Sequence, residues 1–327
     1  MKLMQRFQQP WQRLMMFLAI MGPGLITASA DNDAPGIATY SMAGSFYGYS
    51  FLWVLALVTF GEVVTQEMAA RMGAATGKGL TDLIRERFGV KAAFLVLLGL
   101  FIANLGTTAA QFAGIAASGE LFGIPRYLVV PIAGFAVWLL VLRGSYQRVE
   151  KALLFLTLYA LAYIISAFLL RPPWGEVLRH TFVPTIHFES HYLLALLATV
   201  GTTITPWGCA YMQATVADKG VTMEEYPFTR LDVVVGATLG NVVSAFIIIC
   251  TAATLFTHGI RVEAAEQAAM ALEPLAGVWA KQLFAAGLFG ASVLAASVLP
   301  LATTYAVCEA FGWERGIDHA IEDAPMF

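Results

Sequence analysis

Ala30-Asp31-Asn32-Asp33-Ala34-Pro35-Gly36 interrupts the first long apolar stretch of this chain, and Thr202-Thr203-Ile204-Thr205-Pro206-Trp207-Gly208 interrupts the sixth. Each puts a proline, a glycine and polar side chains where an unbroken apolar helix would otherwise run. A helix broken inside a bilayer frees amides and carbonyls that hydrocarbon cannot satisfy, so such breaks persist only where they line a cavity within the protein. The first break also holds two carboxylates. Acids at membrane depth are costly and usually face an ion path, which makes Asp31 and Asp33 the leading functional residues.

Composition supports the bilayer setting. Of 327 residues, 58% are hydrophobic and 13% charged, against roughly 25% charged in soluble domains. Mean hydropathy is +0.71. A net charge of -3, with the basic residues in short loops, leaves no footprint for nucleic acid. Cys209, Cys250 and Cys308 lie in apolar segments without paired spacing, so they read as small packing residues, with neither a disulfide framework nor a zinc motif. Lys2, Arg6 and Arg13 precede an apolar run in the manner of a signal peptide. That run leads straight into the first break, which makes it an uncleaved first helix.

A span needs about 20 mostly apolar residues. The chain offers eight, at roughly 14–42, 48–70, 92–122, 126–142, 150–170, 191–216, 231–257 and 277–311. Arg126, Arg171, Arg179, Arg261 and Lys281 fall on one side, and the other 14 of the 19 Lys and Arg residues fall on the side of the amino terminus. The positive-inside rule places both termini in the cytoplasm of a multi-pass protein of the cell membrane. Between spans two and three, Leu80, Leu83, Ile84 and Phe88 recur at helical spacing and predict an amphipathic surface helix. The outer segment 171–190, with Pro172, Pro173 and Pro184, reads as a loop. His180, His187 and His191 there fit no compact ligand set.

Breaks at spans one and six imply an all-α integral membrane protein built as a five-plus-five inverted repeat, with its site at the bilayer midplane. The whole chain reads as one transmembrane domain, with a first repeat over about 14–170 and an incomplete second repeat over about 191–311. Eight of the ten or more spans expected of such a LeuT-like fold are present.

Several separated motifs now carry a resemblance. They are Gly22-Pro23-Gly24-Leu25-Ile26-Thr27, Asp31 to Gly36 running into Ile37-Ala38-Thr39-Tyr40-Ser41, Gln66 to Gly73 followed by Thr76-Gly77-Lys78-Gly79-Leu80, Gly201 to Pro206, and Val216 to Gly220. Together they resemble the Nramp family of divalent-metal transporters. The resemblance implies alternating access around a metal site built from an Asp-Pro-Gly-Asn stretch in span one and a Met-Pro-His stretch in span six. Counted from the shared Gly-Pro, the aspartate falls on Asp33, the asparagine on Gly36, the methionine on Thr205 and the histidine on Trp207. The soft thioether ligand is therefore absent. Carboxylate, hydroxyl, carbonyl and water suit magnesium or manganese, so this chain is closer to the Nramp-related magnesium branch, with iron as a third cargo. No resident cofactor is expected.

The candidate ligands are Asp33 and Asp31, Thr205 through its hydroxyl or carbonyl, and the freed carbonyls of Ala30 and Thr202. Against each stands a plainer role: Asp33 as the cap of the second half-helix, Asp31 facing water, Thr205 bonding its own backbone. Cys209, three residues past Pro206, either restores a soft ligand or packs. Span three reads Asn104-Leu105-Gly106-Thr107-Thr108-Ala109-Ala110-Gln111 where proton-coupled relatives place acids, so uptake without proton coupling is expected. Glu62 is the residual candidate for coupling. Asn104, Gln111 and Asn241 read as interhelical hydrogen bonders.

The rivals are a sodium- or proton-coupled organic-solute symporter of the same fold and an inactive shortened fragment. Paired aspartates disfavour an anionic solute, and an intramembrane enzyme lacks any Gly-x-Ser-x-Gly or His-Glu-x-x-His motif. Since relatives continue through at least two further spans, a chain of this length would call for a partner chain or a dimer.

Overall fold

The computed structural model describes residues 22–143 and 146–316. The start of the first span and the basic amino-terminal residues lie outside the described residues. Fourteen α-helices occur among the described residues: α1 (Pro23–Ala30), α2 (Ala34–Tyr47), α3 (Leu52–Thr76), α4 (Leu80–Phe88), α5 (Val90–Leu121), α6 (Arg126–Arg143), α7 (Tyr146–Leu156), α8 (Ala160–Leu170), α9 (Trp174–Phe182), α10 (Ser190–Thr203), α11 (Pro206–Asp218), α12 (Tyr226–Thr254), α13 (Ala265–Ala276) and α14 (Val278–Phe311). Six stretches among them are long and apolar enough to cross a bilayer, and Arg126–Val141 is apolar but shorter. One of the six, Ala34–Thr76, spans 43 residues. At about 1.5 Å per residue it would cross twice, and it folds back at the 3₁₀ turn Gly48–Phe51 to become the second half of span one and all of span two. The eight expected spans are thus accounted for, with spans one and six each split in two.

Close approach holds the first span in place. α1 lies on α12 so tightly that a Cβ on Gly24 would stand 2.7 Å from the backbone of Asp232, and one on Gly236 would stand 2.5 Å from the backbone of Gly24. Without a hydrophobic drive between helices in lipid, such small-residue contacts bring backbones together and supply the association. The glycines of α14 act likewise, with the ring of Tyr163 seated over Gly287. α14 packs along α5, and α12 packs against α1, α2 and α3, so spans one, two and seven form one group and spans three and eight another.

The amphipathic helix between spans two and three forms as α4. Its first turn has no side-chain cap of its own. A remote carboxylate does that work: Glu309 Oε2 on α14 accepts the Thr81 N–H at 3.0 Å. Arg315 closes the cluster against Asp82 at 2.6 Å, and Arg85 pairs with Asp82 at 3.2 Å. The Arg71–Glu67 pair expected on span two is present at 3.0 Å, and the Tyr226 hydroxyl also donates to Glu67.

The segment 171–190 departs from the expected loop, since Trp174–Phe182 is helical. Pro172 and Pro173 precede the first turn, where a missing N–H costs nothing, and Val177 is buried beneath it.

Candidate functional site

The two breaks meet at one cavity of about 490 Å³, lined by Asp31, Asp33, Pro35, Thr202, Thr205, Pro206 and Trp207. Both aspartates are 5% exposed. On a continuous helix, acids two residues apart would diverge. Here α1 ends at Ala30 and α2 begins at Ala34, and Asp33 is extended, with φ -78° and ψ -179°. Loss of the helical turn lets both side chains reach the same space.

Asp33 caps α2, its Oδ1 accepting the Gly36 N–H at 2.8 Å. Its Oδ2 accepts from Gln111 Nε2 at 2.8 Å, and Gln111 Oε1 in turn accepts the Ala34 N–H at 3.0 Å. Asp31 Oδ1 accepts the Thr205 hydroxyl at 2.8 Å, which joins the first break to the second. Asp31 Oδ2 accepts from Gln66 Nε2 at 3.4 Å. Each of the four carboxylate oxygens has thus one side-chain or backbone donor and retains acceptor capacity for a cation or water.

Freed carbonyls add to the oxygen supply. The donor four residues beyond Thr202 is Pro206, which has no N–H, so the Thr202 carbonyl loses its helical partner. Asp31 is followed four residues on by Pro35, so its carbonyl is freed by the same rule, and it lies against Gly36, where a Cβ would stand 2.9 Å away. The sequence reading did not include this carbonyl, although Pro35 was the signal for it. Ala30 is different. Its helical donor, the Ala34 N–H, is diverted to Gln111, yet Ala30 is fully buried and does not line the cavity. The second break aligns Thr202 and Thr205 with the aspartates but leaves Ala30 behind the wall.

The break is pinned from behind. Asn32 Nδ2 donates to the Gly240 carbonyl at 2.8 Å, and its Oδ1 accepts from Ser244 at 2.5 Å. The Tyr159 hydroxyl donates to the Ser29 carbonyl at 2.7 Å. Asp232 Oδ2 accepts the N–H groups of Gly22 and Gly24 at 3.2 and 2.7 Å, and so caps α1 from α12. Gln111 and Asp232 are the residues whose importance the sequence concealed: a polar residue in a span signals a hydrogen bond, but only the fold shows that the bond ends at the break.

Several sequence candidates fall elsewhere. Cys209 does not line the cavity and packs beside Ala69, Ala70 and Met212. Asn104 does line it and donates to Thr303 at 2.8 Å, linking spans three and eight. His180 and His187 pack near Tyr49 and Tyr192, and His191 borders a separate cavity. No group of three or more His, Cys, Asp or Glu side chains suited to a metal occurs among the described residues, so a cation here would rest on carbonyls and a hydroxyl as well as on carboxylates.

The cavity extends from the aspartates along α5 to Leu80 and Thr81 of α4. A second cavity of about 740 Å³ is lined by Met42, Phe46, Tyr47, Glu189, His191 and Arg261. On α2, Tyr40 lies between the lining residues of the two, and its hydroxyl meets that of Thr203 at 2.9 Å.

Two broken spans meeting at a buried acidic cavity define a membrane protein of the LeuT-like inverted-repeat class. The comparisons narrow it. The family model described as natural resistance-associated macrophage protein-like, Nramp, matches residues 24–324, and the chain belongs to that family. The divalent metal cation transporter MntH of Erwinia tasmaniensis is 32% identical over 284 residues, covering 83% of this chain and 68% of that protein. MntH of Bacillus subtilis is 31% identical over 288 residues, covering 83% and 66%. The manganese transporter of Eremococcus coleocola, solved with an aromatic bis-isothiourea substituted compound, superposes with a TM-score of 0.75 at 23% identity, covering 92% of this chain and 67% of that one. The chain therefore spans about two thirds of the length of these relatives.

Proposed function

We propose that this chain carries divalent metal cations across the cell membrane by alternating access, seating the ion between the two breaks. The observation that carries the reading is the convergence of Asp31, Asp33, Thr202 and Thr205 on one cavity, with the Thr205 hydroxyl bonded to Asp31. The names of the relatives, divalent metal cation transporter and manganese transporter, agree with it.

The donors are carboxylate, hydroxyl and carbonyl, which favour magnesium or manganese over softer ions, with iron as a third cargo. The stretch of α5 facing the cavity supplies Asn104 and Thr107 and no carboxylate, which supports gradient-driven uptake without proton coupling. The basic face of the protein, with both termini, lies in the cytoplasm, and the cavity reaching α4 is then the inward-open arm of the cycle. The Tyr40–Thr203 contact closes the outward arm, and the group of spans one, two and seven rocks against the group of spans three and eight.

Uptake of magnesium, manganese and cadmium into proteoliposomes tests this, with wild type beside Asp33→Ala and Thr205→Met, and internal pH followed in the same vesicles. Magnesium or manganese uptake that is lost in the first variant, with cadmium gained in the second, supports the seat. Wild-type vesicles that take up none of the three ions would defeat the reading.

A further inference from the structure

The arm of the cavity that runs from the seat to α4 has a polar wall to which the proposed function gives no task. Along α5, Asn104, Thr107 and Gln111 share one face, at spacings of three and four residues. Gln111 meets Asp33. Asn104 lies two helical turns nearer α4, about 10 Å along the axis at about 1.5 Å per residue. Asn104 and Thr107 line the cavity there beside Leu80, Val96 and Leu100, and no Lys or Arg among the described residues lines it.

The hydrogen bonds behind this wall fix which atoms it presents. The Thr303 hydroxyl on α14 gives its proton to the Leu299 carbonyl at 2.8 Å, so toward Asn104 it can only accept, and Asn104 Nδ2 donates to it at 2.8 Å. The amide nitrogen is thereby held against α14, and Thr303 does not line the cavity. The oxygen is left at the opposite end. Asn104 is 2% exposed yet lines the cavity, and its Oδ1 accepts a hydrogen bond from no described residue. The Thr107 hydroxyl likewise gives its proton to the Ala103 carbonyl at 2.9 Å and keeps its lone pairs. A nearly buried carbonyl oxygen without a donor is costly unless something in the cavity reaches it.

Two neutral acceptors, two turns away from the carboxylates, cannot complete the coordination of a bare dication, which takes six or more oxygens. They can accept from water that the ion itself carries, because a hydrated cation turns its O–H donors outward. Room is available: six waters need about 180 Å³ at roughly 30 Å³ each, and the cavity measures about 490 Å³. We propose that Asn104 and Thr107 form a second cation station in this arm, where the ion that leaves the aspartates is held through its water shell. The station rests on the proposed function and adds to it the place where the cargo is rehydrated. Asn104 is then more than a tie between spans three and eight, since that tie aims its oxygen.

The probe is hexaamminecobalt(III), an inert cation that turns N–H donors outward as a hydrated ion turns its O–H groups and that does not shed its ligands. Its binding to the purified full chain is measured by calorimetry at fixed ionic strength, for wild type, Thr107→Val and Asn104→Leu. Expected is saturable binding near one ion per chain, weakened in each variant about fivefold, the worth of one hydrogen bond. Thr107→Val keeps the shape of the side chain and should unfold at the wild-type temperature. Absence of saturable binding in wild type overturns the proposal, as does full affinity in either variant. Should Asn104→Leu fail to fold, wild type and Thr107→Val decide. Magnesium and manganese uptake are read separately: hexaammine binding without uptake would sink the cargo reading alone, and uptake without hexaammine binding would sink this one alone.

Discussion

Gln111 Nε2 donates to Asp33 Oδ2 at 2.8 Å, and the same side chain accepts the Ala34 N–H at 3.0 Å through its Oε1. One amide from span three thus replaces the helical hydrogen bond that the break removes and fixes the orientation of the acid beside it. Hydrogen bonds of this kind are worth more when charged, and the cost of losing one partner is the desolvation of the other.

Gln111→Leu removes both bonds and leaves a buried N–H unsatisfied, at a cost of about 1–3 kcal/mol for that group. The expected result is a lower unfolding midpoint together with weaker manganese binding by calorimetry. Unchanged values for both would mean that Asn32, Tyr159 and Asp232 hold the break without Gln111.

Asp33 has two roles that substitution can separate. Serine is as good a cap as aspartate but carries no charge, whereas alanine loses about 0.5–2 kcal/mol of capping. Asp33→Ser keeps the cap but leaves Gln111 Nε2 without its acceptor, so it should unfold above Asp33→Ala and yet fail to take up cation in vesicles, while Asp33→Ala should lose both. Retained uptake in the serine variant would reduce Asp33 to a cap.

Tyr40→Phe deletes the hydroxyl that meets Thr203 between the two cavities. Its loss should favour the proposed outward-open state, increasing alkylation of a cysteine introduced at Ala198, which lines the second cavity. Equal labelling rates with and without the hydroxyl would show that this contact does not gate.

Glu309→Ala uncaps α4 and leaves Asp82 and Arg315 without their third member. The helix should loosen, and trypsin should then cut near Lys78 and Arg85 faster than in wild type, in inside-out vesicles and not in right-side-out ones. Cleavage confined to right-side-out vesicles would reverse the assigned orientation.

The fold was largely readable, because spans obey a length rule and a hydropathy rule that need no tertiary information. α4 was readable for a similar reason: Leu80, Leu83 and Ile84 mark one face, whatever that face meets. α9 was misread because Pro172 and Pro173 suggest a loop when weighed by composition, yet prolines before a first turn start a helix as readily as they end one. Gln111 and Asp232 resisted interpretation because a polar side chain in a span names no partner. Gln111 lies 78 residues from Asp33, and Asp232 lies 208 residues from Gly24.

The sequence by itself determined where winding must fail. Pro35 and Pro206 lack an N–H, so the carbonyls of Asp31 and Thr202 lose their helical donors in any fold this chain adopts. It also determined the chemistry on offer there: two carboxylates, hydroxyls and no thioether. The tertiary structure alone decided that Asp31 and Thr205, 174 residues apart, would bond across the two breaks, that Asp33 would be both cap and cavity wall, and that Ala30 would be left outside. Bond chemistry is local to each residue, whereas the direction in which a freed group points is set by the helices packed around it.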